Sequence, residues 1–292
     1  MSAASSALAA LRPRQWVKNA AVFAPLLFAK ALFDPDRLVR SVIAAAAFCL
    51  FSGGVYVLND WVDRERDRLH PEKRLRPFAL GTLGGGWAAA LLAVSWLLGG
   101  ALALLLPWRF VAVCGGYLAL QLTYSLWLKR WAVLDVGAIA LGFVLRVVGG
   151  GVAIDVPVSN WLYLCTLLLA VFLGFAKRRH ELSFLQDSAD AHRANLADYS
   201  LPMLDQMISV AAAACVVSYG LYTVAPDTVA KVGSDRLKLT VPFVLYGIFR
   251  YLFLIHRHGL GGSPERILLT DRAMILTILL FAVVAGTVLY LR

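Results

Sequence analysis

The sequence has few charged residues for its length. Asp, Glu, Lys and Arg make up 16% of the 292 residues, whereas they make up about 25% of a typical soluble domain. Hydrophobic residues account for 60%, and the mean hydropathy is +0.72. A soluble domain is about 45–50% apolar. The composition therefore excludes an ordinary soluble domain and predicts an integral membrane protein of the all-α class.

Cysteine is scarce, and several familiar motifs are missing. The four cysteines lie in separate apolar segments at least 50 residues apart, which makes no metal motif, so we expect free buried thiols. The N-terminus has no basic region followed by a long apolar run, so no cleaved signal peptide is expected. The Gly-rich stretch 81–86 lacks the Gly-Lys-Ser/Thr of a P-loop. No Ser-His-Asp or Cys-His set and no internal repeat is evident.

Nine apolar segments are long enough to cross a membrane as helices, because a hydrocarbon core of about 30 Å needs about 20 residues. The segments are 16–33, 38–58, 83–106, 109–128, 132–153, 160–177, 203–225, 239–256 and 271–291. The first is short and carries Lys18, Asn19 and Lys30. No linker is long enough to separate domains. We expect residues 1–292 to form one polytopic membrane domain with nine transmembrane helices.

Positive charge is distributed unequally between the two ends of these segments. If the N-terminus and the loop 59–77 share a side, eighteen Lys and Arg residues lie on that side and eight on the other. The richer side is expected to be cytoplasmic. The chain is thus predicted to be a multi-pass cell-membrane protein with its long polar loops in the cytosol. This topology explains the net charge of +10 better than binding to nucleic acid does.

The longest strongly polar run is 59–77, NDWVDRERDRLHPEKRLRP. On a helix that continues the apolar segment before it, three aspartates at spacings of three and seven share one face. Carboxylate oxygens suit Mg²⁺, which usually completes its shell with water and substrate phosphates. The sequence therefore predicts a Mg²⁺ site, with the catalytic and metal-binding residues Asn59, Asp60, Asp63 and Asp67. The alternative is a solvated loop whose acids pair with Arg64, Arg66 and Arg68.

Basic residues near this run and in three further stretches are candidates for binding phosphate. The stretches are RPRQWVKN (12–19), YSLWLKR (124–130) and KRRHE (177–181). Each has a plainer interpretation as an interfacial anchor or a positive-inside cluster. Arg146 lies deep in the fifth segment, where a charge suggests function or pairing, unless the side chain snorkels to the interface. The candidate ligands are Lys18, Asn19, Lys73, Arg74, Arg76, Tyr124, Lys129, Arg146, Lys177, Arg178 and Arg179.

The NDxxDxxxD pattern of the acidic run, between the second and third of nine predicted helices, resembles the UbiA superfamily of intramembrane prenyltransferases. The resemblance implies a helical bundle in which this motif binds a Mg²⁺–diphosphate substrate. Members usually carry a second aspartate-rich motif after the sixth helix, where this sequence has KRRHE. That departure argues against an aromatic prenyltransferase.

Five blocks together resemble the decaprenyl-phosphate phosphoribosyltransferase branch of that superfamily. They are RPRQWVKN, YVLNDWVDRERDRLHPEKRLRP, YSLWLKRWAVLD, LRVVGGGVA and KRRHEL, between about residues 10 and 200. The resemblance implies a pentosyl transfer from 5-phosphoribosyl 1-diphosphate (PRPP) to decaprenyl or another polyprenyl phosphate, with release of diphosphate, for cell-wall arabinan. PRPP also carries a 5-phosphate, for which a basic site is better suited than a second acidic motif.

Other functions stay open at the level of the sequence. A UbiA-type enzyme with a prenyl diphosphate donor and an aromatic or glycerol-phosphate acceptor would share the fold and the Mg²⁺. A transporter for a phosphorylated solute would use Arg146 along its path, but transporters often show internal repeats. The sequence does not determine the isoprenoid length, the anomer formed or the oligomeric state. Whether the chain forms a homo-oligomer in the lipid membrane is left open.

Overall fold

The computed structural model describes residues 3–69, 73–184, 196–258, 261–262 and 264–291. Over these ranges the chain folds into helices and contains no β-strand, which confirms the all-α prediction. Two compact units are present. Unit 1 comprises Met1–Lys129 and Leu145–Val158, and unit 2 comprises Arg130–Val144 and Ser159–Arg292.

Unit 1 is organised around one long helix. Its elements are α1 (Ala3–Ala10), a 3₁₀ helix (Pro13–Phe23), α2 (Ala24–Phe28), α3 (Pro35–Val62), α4 (Arg64–Leu69), α5 (Gly85–Leu104), α6 (Trp108–Leu126) and the second half of α7 (Leu134–Ala153). The long helix α3 packs mainly along α5. It begins where Asp34 accepts a hydrogen bond from the Arg37 amide at 3.2 Å and Pro35 occupies the first turn, a favourable start for a helix.

Two glycines let the N-terminal segment approach the long helices of unit 1. A Cβ atom at Gly150 would lie 2.0 Å from the Val22 carbonyl oxygen, and one at Gly53 would lie 3.3 Å from the Leu11 side chain. The 3₁₀ helix is thereby fixed against α7, and Leu11, which precedes this helix, is fixed against α3. Small residues at such positions are typical of closely packed membrane helices.

Unit 2 is a second set of packed helices. It contains the first half of α7, then α8 (Asn160–Phe184), α9 (Leu201–Val224), α10 (Pro226–Val232), a 3₁₀ helix (Arg236–Thr240), α11 (Val241–His258), α12 (Pro264–Thr270) and α13 (Arg272–Tyr290). Helices α8 and α9 pack along each other over a core that includes Phe172, Ile208 and Tyr251. Ser200 and Asp271 cap α9 and α13 by accepting backbone amide hydrogen bonds.

Seven helical stretches among the described residues are long and apolar enough to cross a membrane. They are Pro35–Val62, Gly85–Leu104, Leu134–Ala153, Asn160–Ser183, Leu201–Val224, Arg236–His258 and Arg272–Tyr290. This finding supports a multi-pass membrane protein. The predicted span 109–128 corresponds to α6, which is helical over 19 residues but is not one of the seven.

The predicted span 16–33 is not the single α-helix that its apolar residues suggest. The chain forms the 3₁₀ helix Pro13–Phe23 and then the five-residue α2. Pro25 has no amide hydrogen to donate, so a regular α-helix would lose a backbone hydrogen bond there. Lys30 then adopts a positive φ of 57°. Residues 16–33 therefore do not form one continuous α-helix, and their crossing of the membrane stays a prediction.

Candidate active site

The acidic motif lies at the end of α3 and in the short helix α4. Helix α3 ends at Val62, Asp63 caps it, and α4 resumes at Arg64. The Asp63 amide donates to the Asn59 carbonyl and the Asp67 amide to the Asp63 carbonyl, both at 2.9 Å. Helical register is thus kept across the interruption, and the aspartates share a face as the sequence predicts.

Asp60 is the buried centre of this cluster, with 2% of its surface exposed. Its Oδ1 atom lies 2.5 Å from Arg12 Nη2 and 3.0 Å from Arg76 Nη1. The same Arg76 nitrogen lies 2.7 Å from Asp67 Oδ2, so one guanidinium bridges two buried carboxylates. Arg76, predicted as a phosphate ligand, is therefore part of the acidic cluster.

The remaining aspartate of the motif has a different partner. Lys129 Nζ lies 3.2 Å and 3.4 Å from the two Asp63 carboxylate oxygens. Arg64 and Arg68 pair with Glu65 and donate to the main-chain carbonyls of Trp61 and Ala79. The plainer interpretation of the sequence paired the motif acids with neighbouring arginines. Arg64 and Arg68 do not form those pairs.

The motif has the donor chemistry of a Mg²⁺ site that is completed by a ligand. No group of three His, Cys, Asp or Glu side chains in the described ranges is arranged to hold a metal ion alone. However, Mg²⁺ is often bound through one or two carboxylates together with water and phosphate oxygens. Asp60 and Asp67 flank a single cationic nitrogen of Arg76. The two carboxylates can therefore share a cation, and Asp63 lies one turn from each of them.

A buried polar network connects the N-terminal segment to α6 and α7 within unit 1. Arg146, with 5% of its surface exposed, donates from Nε to Asn19 Oδ1 at 2.7 Å and from Nη2 to Tyr117 Oη at 2.8 Å. Asn19 Nδ2 in turn lies 3.1 Å from Cys49 Sγ. Arg146 is therefore paired inside the protein, and it does not snorkel to the interface.

The other predicted ligands of unit 1 lie on the surface or partly buried. Lys18 is in the 3₁₀ helix and Tyr124 is near the end of α6; both are half-buried. Lys73 is half-buried and Arg74 exposed in the short turn Lys73–Leu75, and Asn59 is half-buried in α3. Their assignment to phosphates stays a prediction.

The KRRHE stretch lies in unit 2, and its central arginine is buried there. Arg178 and Asp135 have 1% and 0% of their side chains exposed, and Arg178 Nε lies 2.6 Å from Asp135 Oδ2. Arg178 also contacts Glu181. Arg178 is therefore buried and paired with acids within unit 2, and its assignment to a phosphate stays a prediction.

Tyr199 completes the surroundings of this ion pair. Its hydroxyl donates to Asp135 Oδ1 at 3.0 Å and accepts from the Val133 amide at 2.6 Å. Val133 has a φ of 68°, which is unusual for a β-branched residue. Burial raises the pKa of Tyr199, so the hydroxyl stays protonated and remains a donor to the buried carboxylate.

Arg179, the next cation of KRRHE, also contacts an acid of unit 2. Its Nε atom contacts Asp205 Oδ1, which lies 3.2 Å from His256 Nε2. Lys177 is half-buried. Two of the three cations that suggested a basic phosphate site are therefore paired with carboxylates.

Sequence reasoning did not assign Arg12, Asp135 or Asp205 to any cluster. Arg12 and Asp135 lie inside RPRQWVKN and YSLWLKRWAVLD, so the signal was present in the quoted blocks. Asp205 lies in an apolar segment whose pattern gave no functional signal.

Comparison with known proteins identifies the family. The family model described as the UbiA prenyltransferase family matches residues 20–270. The chain belongs to the UbiA prenyltransferase family. The UbiA fold is also seen in a solved structure, a UbiA homolog from Archaeoglobus fulgidus bound to GPP and Mg²⁺. That structure matches with a TM-score of 0.75 at 20% identity over 97% of this chain and 99% of its own.

Full-length relatives within the UbiA family are more similar in sequence. The decaprenyl-phosphate phosphoribosyltransferase of Mycolicibacterium smegmatis is 34% identical over 98% of this chain and 93% of its own length. That of Corynebacterium glutamicum is 33% identical over 93% and 82%, respectively. Both resemblances drawn from the sequence, to the superfamily and to this branch, are confirmed.

Proposed function

We propose that this UbiA family member transfers the 5-phosphoribosyl group of PRPP to decaprenyl phosphate and releases diphosphate, in the synthesis of a cell-wall arabinan precursor. The full-length similarity to decaprenyl-phosphate phosphoribosyltransferases supports the reaction. The observation that carries the site is the cluster in which Arg12 and Arg76 contact Asp60, and Arg76 also contacts Asp67. This cluster combines metal-binding oxygens with cations that suit a diphosphate.

The donor diphosphate would bind at this cluster in unit 1. Asp60, Asp63 and Asp67, with Asn59, would hold Mg²⁺, which when bound supplies positive charge to the leaving diphosphate. Arg76 and Lys129 already contact the aspartates. They are therefore close enough to bind diphosphate oxygens and to stabilise the charge that develops as the glycosidic bond breaks. Lys18, Lys73, Arg74 and Tyr124 are proposed ligands of the remaining phosphates.

The acceptor requires no strong general base. A phosphate monoester has a second pKa of about 6, so an oxygen of the lipid phosphate is largely anionic at pH 7. This oxygen attacks the anomeric carbon, which is oxocarbenium-like in glycosyl transfers. One carbon–oxygen bond forms to the lipid phosphate, and the bond to the diphosphate breaks. The chain's part is to hold both phosphate groups and to exclude water.

The membrane topology, meaning the number of domains and the side on which the site lies, is part of the same proposal. We propose one polytopic domain in the cell membrane, with the acidic cluster on the cytoplasmic side, where PRPP is soluble. The excess of Lys and Arg in the loops on that side supports this orientation. A span count of nine would require α6 and the segment that contains the 3₁₀ helix to cross as well.

The test is transfer of labelled ribose 5-phosphate from PRPP to decaprenyl phosphate by the purified protein in detergent, with and without Mg²⁺. We expect a lipid-linked product that forms only with Mg²⁺ and is lost in Asp60→Ala. A parallel reaction with geranyl diphosphate and an aromatic acceptor tests the rival activity, which the UbiA fold alone would permit. Product in that reaction, and none from PRPP, would overturn the proposed donor.

A further inference from the structure

We propose that Arg12 is an exchangeable counter-ion of Asp60. It holds the carboxylate when no divalent cation is bound and leaves it when the metal and the donor diphosphate enter. This inference rests on the proposed function, because it assumes that Asp60 binds the metal. It assigns a role to the N-terminal segment that the acidic motif alone does not suggest.

One oxygen of the Asp60 carboxylate is crowded. Asp60 Oδ1 accepts hydrogen bonds from both Arg12 and Arg76. A carboxylate offers about two lone-pair positions on each oxygen, and Mg²⁺ approaches its oxygen ligands to about 2.0–2.1 Å. A metal ion on this oxygen must therefore displace one of the two guanidinium groups.

Arg12, and not Arg76, is the group that moves. Arg76 is tied to two carboxylates, Asp60 and Asp67. Among the described residues Arg12 forms its ion pair with Asp60 alone. The two arginine side chains are equally exposed, each by about a quarter, so the number of ion pairs distinguishes them. Release of Arg12 breaks fewer contacts and needs no opening of the core.

The backbone around Arg12 is fixed, while the Arg12 side chain can move. Trp16 Nε1 donates to the Leu11 carbonyl at 3.2 Å, and Asn19 is held by Arg146. Arg12 itself has φ 52° and ψ 62°, a left-handed conformation that is disfavoured for a residue with a side chain. The fold therefore imposes this conformation and aims the side chain at the site.

After release from Asp60, the Arg12 guanidinium can pack against the ring of Tyr56. Its carbon lies 5.1 Å from the centre of the Tyr56 ring, within cation–π distance. Tyr56 is one helical turn before Asp60 on α3, so it lies on the same face. From this position Arg12 can contact a diphosphate that is bound through the metal at Asp60.

The exchange predicts that removal of Arg12 changes the affinity for the metal and the affinity for the donor in opposite directions. Without PRPP, Arg12 competes with the metal, so its removal should strengthen metal binding. With PRPP, Arg12 adds positive charge beside the diphosphate, so its removal should weaken donor binding. A purely structural role would weaken both.

The experiment is a titration of the purified full-length protein with Mn²⁺ alone, in which electron paramagnetic resonance reports free Mn²⁺. The KM for PRPP is measured in parallel. For Arg12→Gln we expect about tenfold tighter Mn²⁺ binding and about tenfold higher KM, the scale of one charge-assisted hydrogen bond. Arg12→Lys, which keeps the charge, should lie nearer the wild type. Arg14→Gln, an exposed arginine two residues away, is the matched control and should change either quantity less than twofold.

Failure of the Arg12 role and failure of the proposed metal site would give different results. If Asp60→Asn abolishes Mn²⁺ binding but Arg12→Gln leaves it unchanged or weaker, the role of Arg12 is overturned and the proposed function stands. An equal gain in Mn²⁺ affinity in Arg14→Gln would show a general charge effect and would also overturn the assignment. If Asp60→Asn binds Mn²⁺ like the wild type, the proposed metal site itself fails.

Discussion

The two ion clusters contain similar residues but differ in access to solvent. In unit 1, Arg12 and Arg76, which pair with Asp60, each have 27% of the side chain exposed. In unit 2, Arg178, which pairs with Asp135, has 1% exposed. Both carboxylates are buried, so the difference lies in the arginines. A guanidinium that is about a quarter exposed can leave its carboxylate and be hydrated, whereas a fully buried one would lose its counter-ion without gaining water. Access of the arginine to solvent thus distinguishes the proposed binding cluster from the buried pair.

The ion pairs of unit 2 also bear on KRRHE, the stretch at which the sequence departs from the family pattern. The second aspartate-rich motif expected after the sixth predicted helix is replaced by cations, and two of these are paired with Asp135 and Asp205 from elsewhere in unit 2. Carboxylates are therefore present at this stretch, but they are engaged with arginines. This arrangement favours a structural role for Arg178 over an open phosphate site. Arg179 and Asp205 are partly exposed, with 17% and 38% of their side chains accessible, so solvent access does not assign Arg179 the same role.

The largest expected effect is loss of turnover when the unit 1 cluster loses an acid. Asp60→Ala and Asp63→Ala should each lower PRPP-dependent turnover by at least about 10²–10³-fold, the cost of removing a group that stabilises transition-state charge. Stability should change little, since the arginines left behind reach solvent. Activity and thermal unfolding in detergent are compared on the same preparations. Full activity in both variants would contradict the metal site.

For the buried pair of unit 2 we expect the loss of an ion partner to lower stability rather than turnover. Arg178→Gln should lower the free energy of unfolding by about 3–5 kcal/mol, because the buried carboxylate of Asp135 would lose the cation that lies 2.6 Å from it. The double variant Arg178→Met with Asp135→Leu is the matched control and should recover most of that loss, since a buried pair is often replaceable by apolar residues. Denaturant unfolding of the three proteins measures this. A stable Arg178→Gln with a raised KM for PRPP would instead make Arg178 a substrate ligand.

A smaller effect tests the hydrogen bond that completes the unit 2 cluster. Tyr199→Phe removes the donor to Asp135 and the acceptor of the Val133 amide. It should cost about 1–3 kcal/mol, the cost of leaving buried polar groups unsatisfied. The KM for PRPP should stay within twofold of the wild type. Unfolding and steady-state kinetics check both, and a lowered turnover without loss of stability would argue that Tyr199 acts in the reaction.

Local pattern predicted the acidic motif well but did not predict its partners. The aspartate spacing places the carboxylates on one helical face, because hydrogen bonds within the helix fix that geometry. Arg12 is 48 residues from Asp60 in the sequence, and Lys129 is 66 residues from Asp63. No local periodicity relates residues so far apart, so the contacts follow only from packing.

The sequence by itself determined the membrane class, the family and the shared face of Asp60, Asp63 and Asp67, because composition and helical spacing are local properties of the chain. The tertiary structure decided which cations meet which acids. It brought Arg12 and Arg76, whose side chains are partly exposed, to the buried Asp60, and it enclosed Arg178 with Asp135. The physical reason is that burial, which sets the cost of separating an ion pair, depends on neighbours that are distant in sequence.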